Sequence, residues 1–433
     1  RQSKEGKIIY LELERNQKYA GPRPYLSKIV FRFYNEEKEL ISAYQKKEIK
    51  GFSLSSIEKL KGYSLGNLNT YQFFLPRYFA LFFNPEKSKI LADKNVREAL
   101  NYGTDKVSLI EKTIFGYGKQ VDSPILPELY GFKSPSKIYQ FDQKLAKNLL
   151  DNAGFKQNQQ GTREKIVKKK PSFQFKNELK VGSRGEEVRE LQKCLAKDPQ
   201  IFPENQISGY FGEQTKKAVI RFQEKYKKDI LEPFGLKKGT GIVSKATQNK
   251  LNELCFPQVE EVLHMRFSLA TVNQPLLLQT AEIIKEQWKE LGIEIKIDTF
   301  EPSFLEKEVI KPRNYEILLF GNALTMIPDP FAFWHSTQTK DPGLNLAMYK
   351  QKEVDKLLEE SRKFSVLTEK QKKLEQLQDI IIGDAPVVFL YNPSYLYFVS
   401  NEFKGIEAKT IPTPSQRFSQ IEKWYINTKR VWQ

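Results

Sequence analysis

LKVGSRGEEVRELQKCL, residues 179–195, places Val181, Val188, Leu191 and Leu195 at the spacing of one buried helical face. Two matching half-motifs follow. Gly209-Tyr-Phe211 runs on to Thr215, Ala218-Val219 and Phe222-Gln223, and Gly241-Ile-Val243 runs on to Thr247, Leu251 and Leu254. The two glycines lie 32 residues apart, the mark of an internal duplication. In each copy the glycine permits a tight turn, an apolar residue plugs the core, and the threonine caps or buttresses the next helix. Residues 179–254 therefore read as a complete small helical module set into the middle of a larger α/β chain.

Outside the module, strands alternate with helices. KIIYLEL and SKIVFRFY read as strands and EEKELISAYQKKE as a helix. Asp93 opens a helix whose Val96, Ala99 and Leu100 share a face, and Phe141-Asp142 leads into a helix stopped by Gly154. HMRFSLAT reads as a strand. LLLQTAEIIKEQWKEL is a helix with Ala281, Ile284, Trp288 and Leu291 inward, ended by Gly292, and IEIKIDTF is the next strand. YEILLFGNA has the apolar run of a strand covered on both faces, Val354 to Ile382 gives two helices, and APVVFLYN returns as a strand.

A chain of 433 residues exceeds one hydrophobic core, so two or three domains are expected. No run approaches the ~18 apolar residues of a membrane helix. The chain opens RQSKEGKIIYLE, without an initiator Met or a signal-peptide core. The expectation is a fragment or processed form whose N-terminal part, with any export signal or lipid anchor, is absent. The net charge of +17 is spread along every helix beside Glu, as in KEQWKE and EKQKKLEQ, rather than gathered with stacking aromatics. No nucleic-acid partner is expected, only mild affinity for an anionic envelope. The densest run, KIVKKK (165–170), reads as a linker.

Cys194 and Cys255 both fall in the module, and two readings stand: a disulfide suited to an exported protein, or two inert buried thiols. His264 and His335 belong to no metal-binding pattern, and no nucleophile elbow, phosphate loop or dinucleotide fingerprint is present. Carboxylates are evenly mixed with Lys, so no general acid–base pair stands out. No catalytic residue, metal or cofactor is expected.

The module resembles the peptidoglycan-binding domain of many wall hydrolases, on its LQ, FG-x-x-T-x-x-A-V-x-x-F-Q and second G-x-V-x-x-x-T elements. The signature positions are Gly185, Leu191, Gln192, Gly209, Phe211, Thr215, Phe222, Gly241 and Thr247. The resemblance implies a three-helix bundle that binds wall glycopeptide in a shallow groove; a spacer is the alternative.

The host chain resembles the family 5 solute-binding proteins of ABC importers for peptides, nickel and oligopeptides. The motifs are RN-x-x-Y-x-G-x-x-PYLSKIVF from Arg15, KEIKG (47–51), NPEKSKILADKNVREALNYGTDK from Asn84, FDQKLAKNLLDNAGF and TAEIIKEQWKELGIEIKI. PDPFAFW (328–334), N-x-x-x-Y-x-x-x-EVDKLLEESR from Asn345, and APVVFLYNPSYLYFVSNEFKG complete them. The resemblance implies a type II periplasmic-binding-protein-like bilobal α/β fold with an inserted all-α three-helix peptidoglycan-binding-like domain. It places the lobe crossings near Thr70–Tyr78 and Phe389–Tyr395, with the first part of the larger lobe missing. Residues 1–72 and 396–433 are then the remainder of lobe I, 73–178 and 256–395 the two parts of lobe II, and 179–255 the insert.

Ligand pockets favour the junction of two domains. On that hinge geometry the candidate ligand residues are Arg77, Tyr78, Tyr391 and Tyr395 near the crossings and the loop Asn322–Trp334, followed by Asn345 and Tyr349. For Trp334, Tyr349 and Tyr391 a plain core role is the competing reading. Dipeptide binders of the family hold the ligand ammonium with an Asp three residues before the loop's Asp-Pro, where this chain has Met326. They hold the carboxylate with an Arg where it has Thr271. Asp329 reads as a loop-ordering acid.

The function expected is therefore a monomeric, extracytoplasmic receptor for peptides or peptide-like solutes. It works with ABC importer membrane subunits and is held on peptidoglycan by the insert. The alternatives are a wall-associated hydrolase, or a wall-anchored structural protein with a ligand-free cleft.

Overall fold

The computed structural model describes residues 8–54, 56–364 and 367–427. The chain divides into two compact units, Lys165–Leu263 and the sequence that flanks it on both sides. The host begins with an antiparallel pair, β1 (Tyr10–Glu14) and β2 (Lys28–Arg32), then the helix Glu37–Gln45, β3 (Gly51–Leu54) and β4 (Leu68–Phe73). β5 (Arg77–Phe83) leads through the helices Lys94–Tyr102 and Lys106–Ile114 to β6 (Gly118–Gln120), the helix Gln143–Asn152 and the short β7 (Lys156–Gln157). β8 (Arg163–Lys168) carries the chain into the inserted unit, and the neighbouring β9 (Glu260–His264) carries it back. There follow β10 (Arg266–Val272), the helix Pro275–Lys289, β11 (Glu294–Phe300), β12 (Ile317–Ala323) and the helices Lys352–Lys363 and Leu367–Asp384. The chain closes with β13 (Val387–Pro393), β14 (Tyr395–Ser400), β15 (Phe403–Lys404) and β16 (Tyr425–Ile426).

Two sheets organise the host. Six strands run in the order β11-β10-β12-β5-β13-β6, with β10 parallel to β11 and β12, and β5 antiparallel to β12 and β13. Its central strands are buried along their length, from Ala80 to Phe83, Ile317 to Leu319 and Val387 to Tyr391, as their unbroken apolar runs required. The other sheet is β3-β14-β4. Phe73, Tyr397 and Val399 pack with Ile411 and Trp424, while Phe52, Leu54, Leu396 and Phe398 pack with Ile41. Because side chains alternate along a strand, these are the two faces of one three-stranded layer. The backbone passes between the sheets twice, at 74–76 from β4 to β5 and at Ser394 from β13 to β14.

In the host the helices form where their patterning placed them; in the module Val181, expected on the buried helical face, instead lies in a turn before the helix Glu186–Leu195 and is 44% exposed. Asp93 caps Lys94–Tyr102 by accepting from the Asn95 amide at 2.9 Å, and Val96, Ala99 and Leu100 are buried. Ala281, Ile284, Trp288 and Leu291 are buried, and the Trp288 indole donates to Thr104 Oγ1 at 3.0 Å. Gly292 ends that helix at φ 80°, and a Cβ there would also lie 2.8 Å from the Gly161 carbonyl oxygen.

The inserted unit is larger than residues 179–255. It takes in residues 165–178 and 256–263 as well, because Phe173 and Phe256 pack against the bundle core that includes Phe175. KIVKKK is not a linker: most of it lies in β8, where the β-branched Ile166 and Val167 sit beside β9. The module's main helices are Glu186–Leu195, Glu213–Lys225 and Lys245–Cys255, around Leu191, Phe211, Val219, Phe222, Val243 and Leu251.

The duplication extends to single hydrogen bonds. Gln192, buried, accepts from the Gly209 amide at 2.9 Å and donates to the Tyr210 carbonyl at 2.9 Å and Thr215 Oγ1 at 3.0 Å. Gln223, equally buried, accepts from the Gly241 amide at 2.9 Å and donates to the Ile242 carbonyl at 2.8 Å and Thr247 Oγ1 at 3.0 Å. Gly209 and Gly241 both hold positive φ, 74° and 70°, so each turn presents its amide to the glutamine. The threonines therefore buttress and do not cap: the helix caps are Gly212 and Ser244.

Cys194 and Cys255 form a disulfide across a sequence separation of 61 residues. In the chain-entropy model a loop of that size stabilises by about 4 kcal/mol. Cys194→Ser/Cys255→Ser is expected to lower the module's unfolding transition by that amount in calorimetry and leave the host transition in place. Gln223→Ala strands a buried amide and is expected to cost the same transition about 1–3 kcal/mol, measured by urea melts.

Candidate ligand site at the crossings

The Leu75 carbonyl is the pivot of the site. It accepts from the Arg77 amide at 2.7 Å and from Asn392 Nδ2 at 2.9 Å, so the first crossing is tied to the strand that makes the second. Phe74 is held by the segment before β15's partner strand: its amide donates to the Lys409 carbonyl at 2.9 Å, and its carbonyl accepts from Ile411 at 3.0 Å. The Lys119 ammonium lies 4.2 Å from the Phe74 ring centroid. At the second crossing the Ser394 amide donates to the Tyr117 carbonyl at 3.0 Å.

The expected ligand residues separate into two sets. Tyr78, Thr271, Asn322, Trp334, Asn345 and Tyr391 are core residues in this structure. The Tyr78 hydroxyl donates to the Pro124 carbonyl at 3.3 Å and accepts from Asn322 Nδ2 at 3.1 Å, and burial raises its pKa. Thr271 Oγ1 donates to the Leu319 carbonyl at 3.0 Å, which leaves nothing of it facing a cleft. Asn345 donates to the His335 and Tyr349 carbonyls at 3.2 and 2.8 Å and accepts from the Tyr349 amide at 3.1 Å, folding the loop around itself. Trp334 packs against Tyr349 and Phe389 at ring separations of 6.2 and 6.1 Å. The Tyr391 hydroxyl pairs with Thr280 Oγ1 at 2.9 Å, and burial pushes its pKa to about 12. For these side chains, each buried in the structure, packing accounts for their place.

Arg77, Met326 and Tyr395 keep some exposure. Tyr395 donates to Ser53 Oγ at 2.7 Å, and the Arg417 guanidinium lies 5.5 Å from its ring. Met326 is 44% exposed at a recess of about 710 Å³, also lined by Ile125, Tyr130, Ile327, Phe333 and Leu344. The rim is apolar. Asp329, at the same recess, is engaged: Arg362 Nε and Nη2 donate to its two oxygens at 3.0 and 2.7 Å, with the guanidinium 3.8 Å from the Phe331 ring. Burial alone would raise the Asp329 pKa, but the Arg362 hydrogen bonds and charge outweigh it and hold the carboxyl below its ordinary value.

His335 is buried, with Nδ1 2.8 Å from Thr337 Oγ1 and Nε2 3.3 Å from Glu359. His264 closes β9 rather than opening a strand, exposed and 3.5 Å from Glu164. Among the described residues no three His, Cys, Asp or Glu side chains gather where a metal ion could be held. Sequence reasoning passed over Asn392 and Arg417. Asn392, a buried polar residue in the apolar run VVFLYN, was the available signal; Arg417 offered none, because only the fold brings it to Tyr395.

Residues 3–198 match the model of bacterial extracellular solute-binding proteins, family 5 (middle), and residues 184–251 match that of a peptidoglycan binding domain. The oligopeptide-binding protein AppA of Bacillus subtilis is 23% identical over 420 residues, 96% of this chain and 59% of that protein. Its structure in complex with a nonapeptide aligns at TM-score 0.57 and 21% identity, covering 99% of this chain and 66% of that one. The substrate-binding protein CtaP of Listeria monocytogenes aligns at TM-score 0.63 and 17% identity, covering 97% and 64%. The murein tripeptide-binding protein MppA, in an unliganded open form, aligns at 0.57 and 15%, covering 93% and 58%. The chain spans less than two thirds of the length of each of these relatives. By fold and by these matches, the chain is similar to the family 5 solute-binding proteins, and residues 184–251 within it match a peptidoglycan binding domain.

Proposed function

We propose that this chain is the solute-capturing part of an ABC importer for peptides, acting outside the cytoplasmic membrane and held at the wall by its inserted module. The observation that carries this reading is the pair of backbone crossings at 74–76 and Ser394 between a three-stranded and a six-stranded sheet. Two narrow connections let two lobes close about a ligand that contacts both, and that ligand stabilises the closed state by the contacts it gains there. The relatives named for oligopeptide and murein tripeptide binding support a peptide as the solute. No helix of the described residues is long and apolar enough to cross a membrane, so delivery to separate membrane subunits fits the chain.

Peptides longer than two residues fit this cleft best. Met326 and Thr271 replace the charge partners of a dipeptide's two ends, and Asp329 is occupied by Arg362. Each missing charge-assisted bond forfeits ~1.5–3 kcal/mol, which a longer ligand recovers through its backbone and side chains. The apolar recess beside Met326 suits an uncharged side chain. Wall attachment would raise the receptor's local concentration where wall peptides are released.

Titrating the protein with peptides of two to nine residues, followed by tryptophan emission, is expected to give saturable responses at least tenfold tighter for pentapeptides than for dipeptides. A response confined to dipeptides, sugars or nickel–histidine would contradict the assignment. Co-sedimentation with purified peptidoglycan is expected to survive 0.5 M salt. Loss at that salt would mean that the +17 net charge, and not a glycopeptide groove, holds the protein to the wall.

A further inference from the structure

Arg77 stands at the start of β5, one residue beyond the first crossing. Its guanidinium is half-buried, and among the described residues no carboxylate, carbonyl or hydroxyl pairs with it; Nε is buried without a hydrogen-bond partner. A desolvated charge without a partner is destabilising, and proteins keep such charges rarely unless something binds them. A second unmet group lies on the strand that makes the other crossing. Asn392 is buried, its Nδ2 shares the Leu75 carbonyl with the Arg77 amide, and its Oδ1 has no donor. Each crossing thus carries one unmet polar group, a cationic donor at Arg77 and a neutral acceptor at Asn392.

We infer that Arg77 receives a carboxylate of the ligand. This deepens the peptide-importer reading and rests on it. A planar guanidinium matches a carboxylate with two parallel bonds. The anionic end is then read at the hinge, on the strand that moves with both lobes. Charge recognition has left the loop where Asp329 is tied to Arg362.

The test uses the full chain with a random-sequence pentapeptide mixture as free acids and the same mixture C-terminally amidated, by isothermal titration. The wild type is expected to bind the acids at least tenfold more tightly than the amides. Arg77→Met is expected to bind both mixtures alike, near the wild type's affinity for amides, and Arg77→Lys to restore part of the preference. Arg77→Met is also expected to melt no lower than the wild type, because it removes an unpaired buried charge; a merely structural arginine would lower the melting temperature. Equal binding of acids and amides by the wild type, or an undiminished preference in Arg77→Met, overturns the Arg77 assignment and leaves the importer reading standing. Binding of neither mixture overturns both.

Discussion

The Leu75 carbonyl accepts one bond from the next strand's backbone and one from Asn392, and the rest of the host depends on that junction. It locks the two strands that pass between the sheets to each other, so the crossings act as one element. Beyond it the registers are set: Arg77 faces Ala323, Tyr391 faces Phe79, and Tyr395 faces Phe73. The register shift between Phe389 and Tyr391 lets β13 follow β5 and still deliver Ser394 to the turn between sheets. Few backbone residues separate the layers. That is the physical condition for a clamp.

The insert enters and leaves through adjacent strands. On the host side Arg163 fixes the exit. Its Nε donates to the Leu291 carbonyl at 2.8 Å, and Nη1 donates to the Phe155 carbonyl at 2.7 Å and to Asp151 at 2.8 Å. That hydrogen bond holds the Asp151 carboxyl below its ordinary pKa. The module in turn has its own core, two glutamine-centred turn locks and a disulfide. Each unit therefore folds on internal contacts, which is what makes a mid-domain insertion tolerable.

Much of this was legible in the residues. The face Val96–Ala99–Leu100, the inward Ile284 and Trp288, and the apolar run of β12 each have a period that admits one reading, and the structure has them so. The duplicated Gly–Thr pattern gave the module but not the role of its threonines, since a buried glutamine looks like any surface glutamine in sequence. The module's extent was underestimated because Phe173 and Phe175 sit in a polar, Lys-rich stretch; only the bonds between Phe175 and Asn252 reveal that they belong to the bundle. The site was the least legible part. Tyr391 and Tyr395 are four residues apart near one crossing, yet one is sealed in the core and the other partly open, and a strand apolar on both faces carries no sign of that difference. Arg77 could be named from its place, but its lack of a partner is a property of the fold alone.

The central claim is that two lobes joined at 74–76 and 394 close on a peptide. Spin labels at the exposed Lys46 and Glu353, in a protein whose two cysteines are joined to each other, would report that motion by pulsed electron resonance. The account predicts a shorter and narrower interlabel distance distribution when a binding peptide is added to saturation. An unchanged distribution at saturation would contradict it.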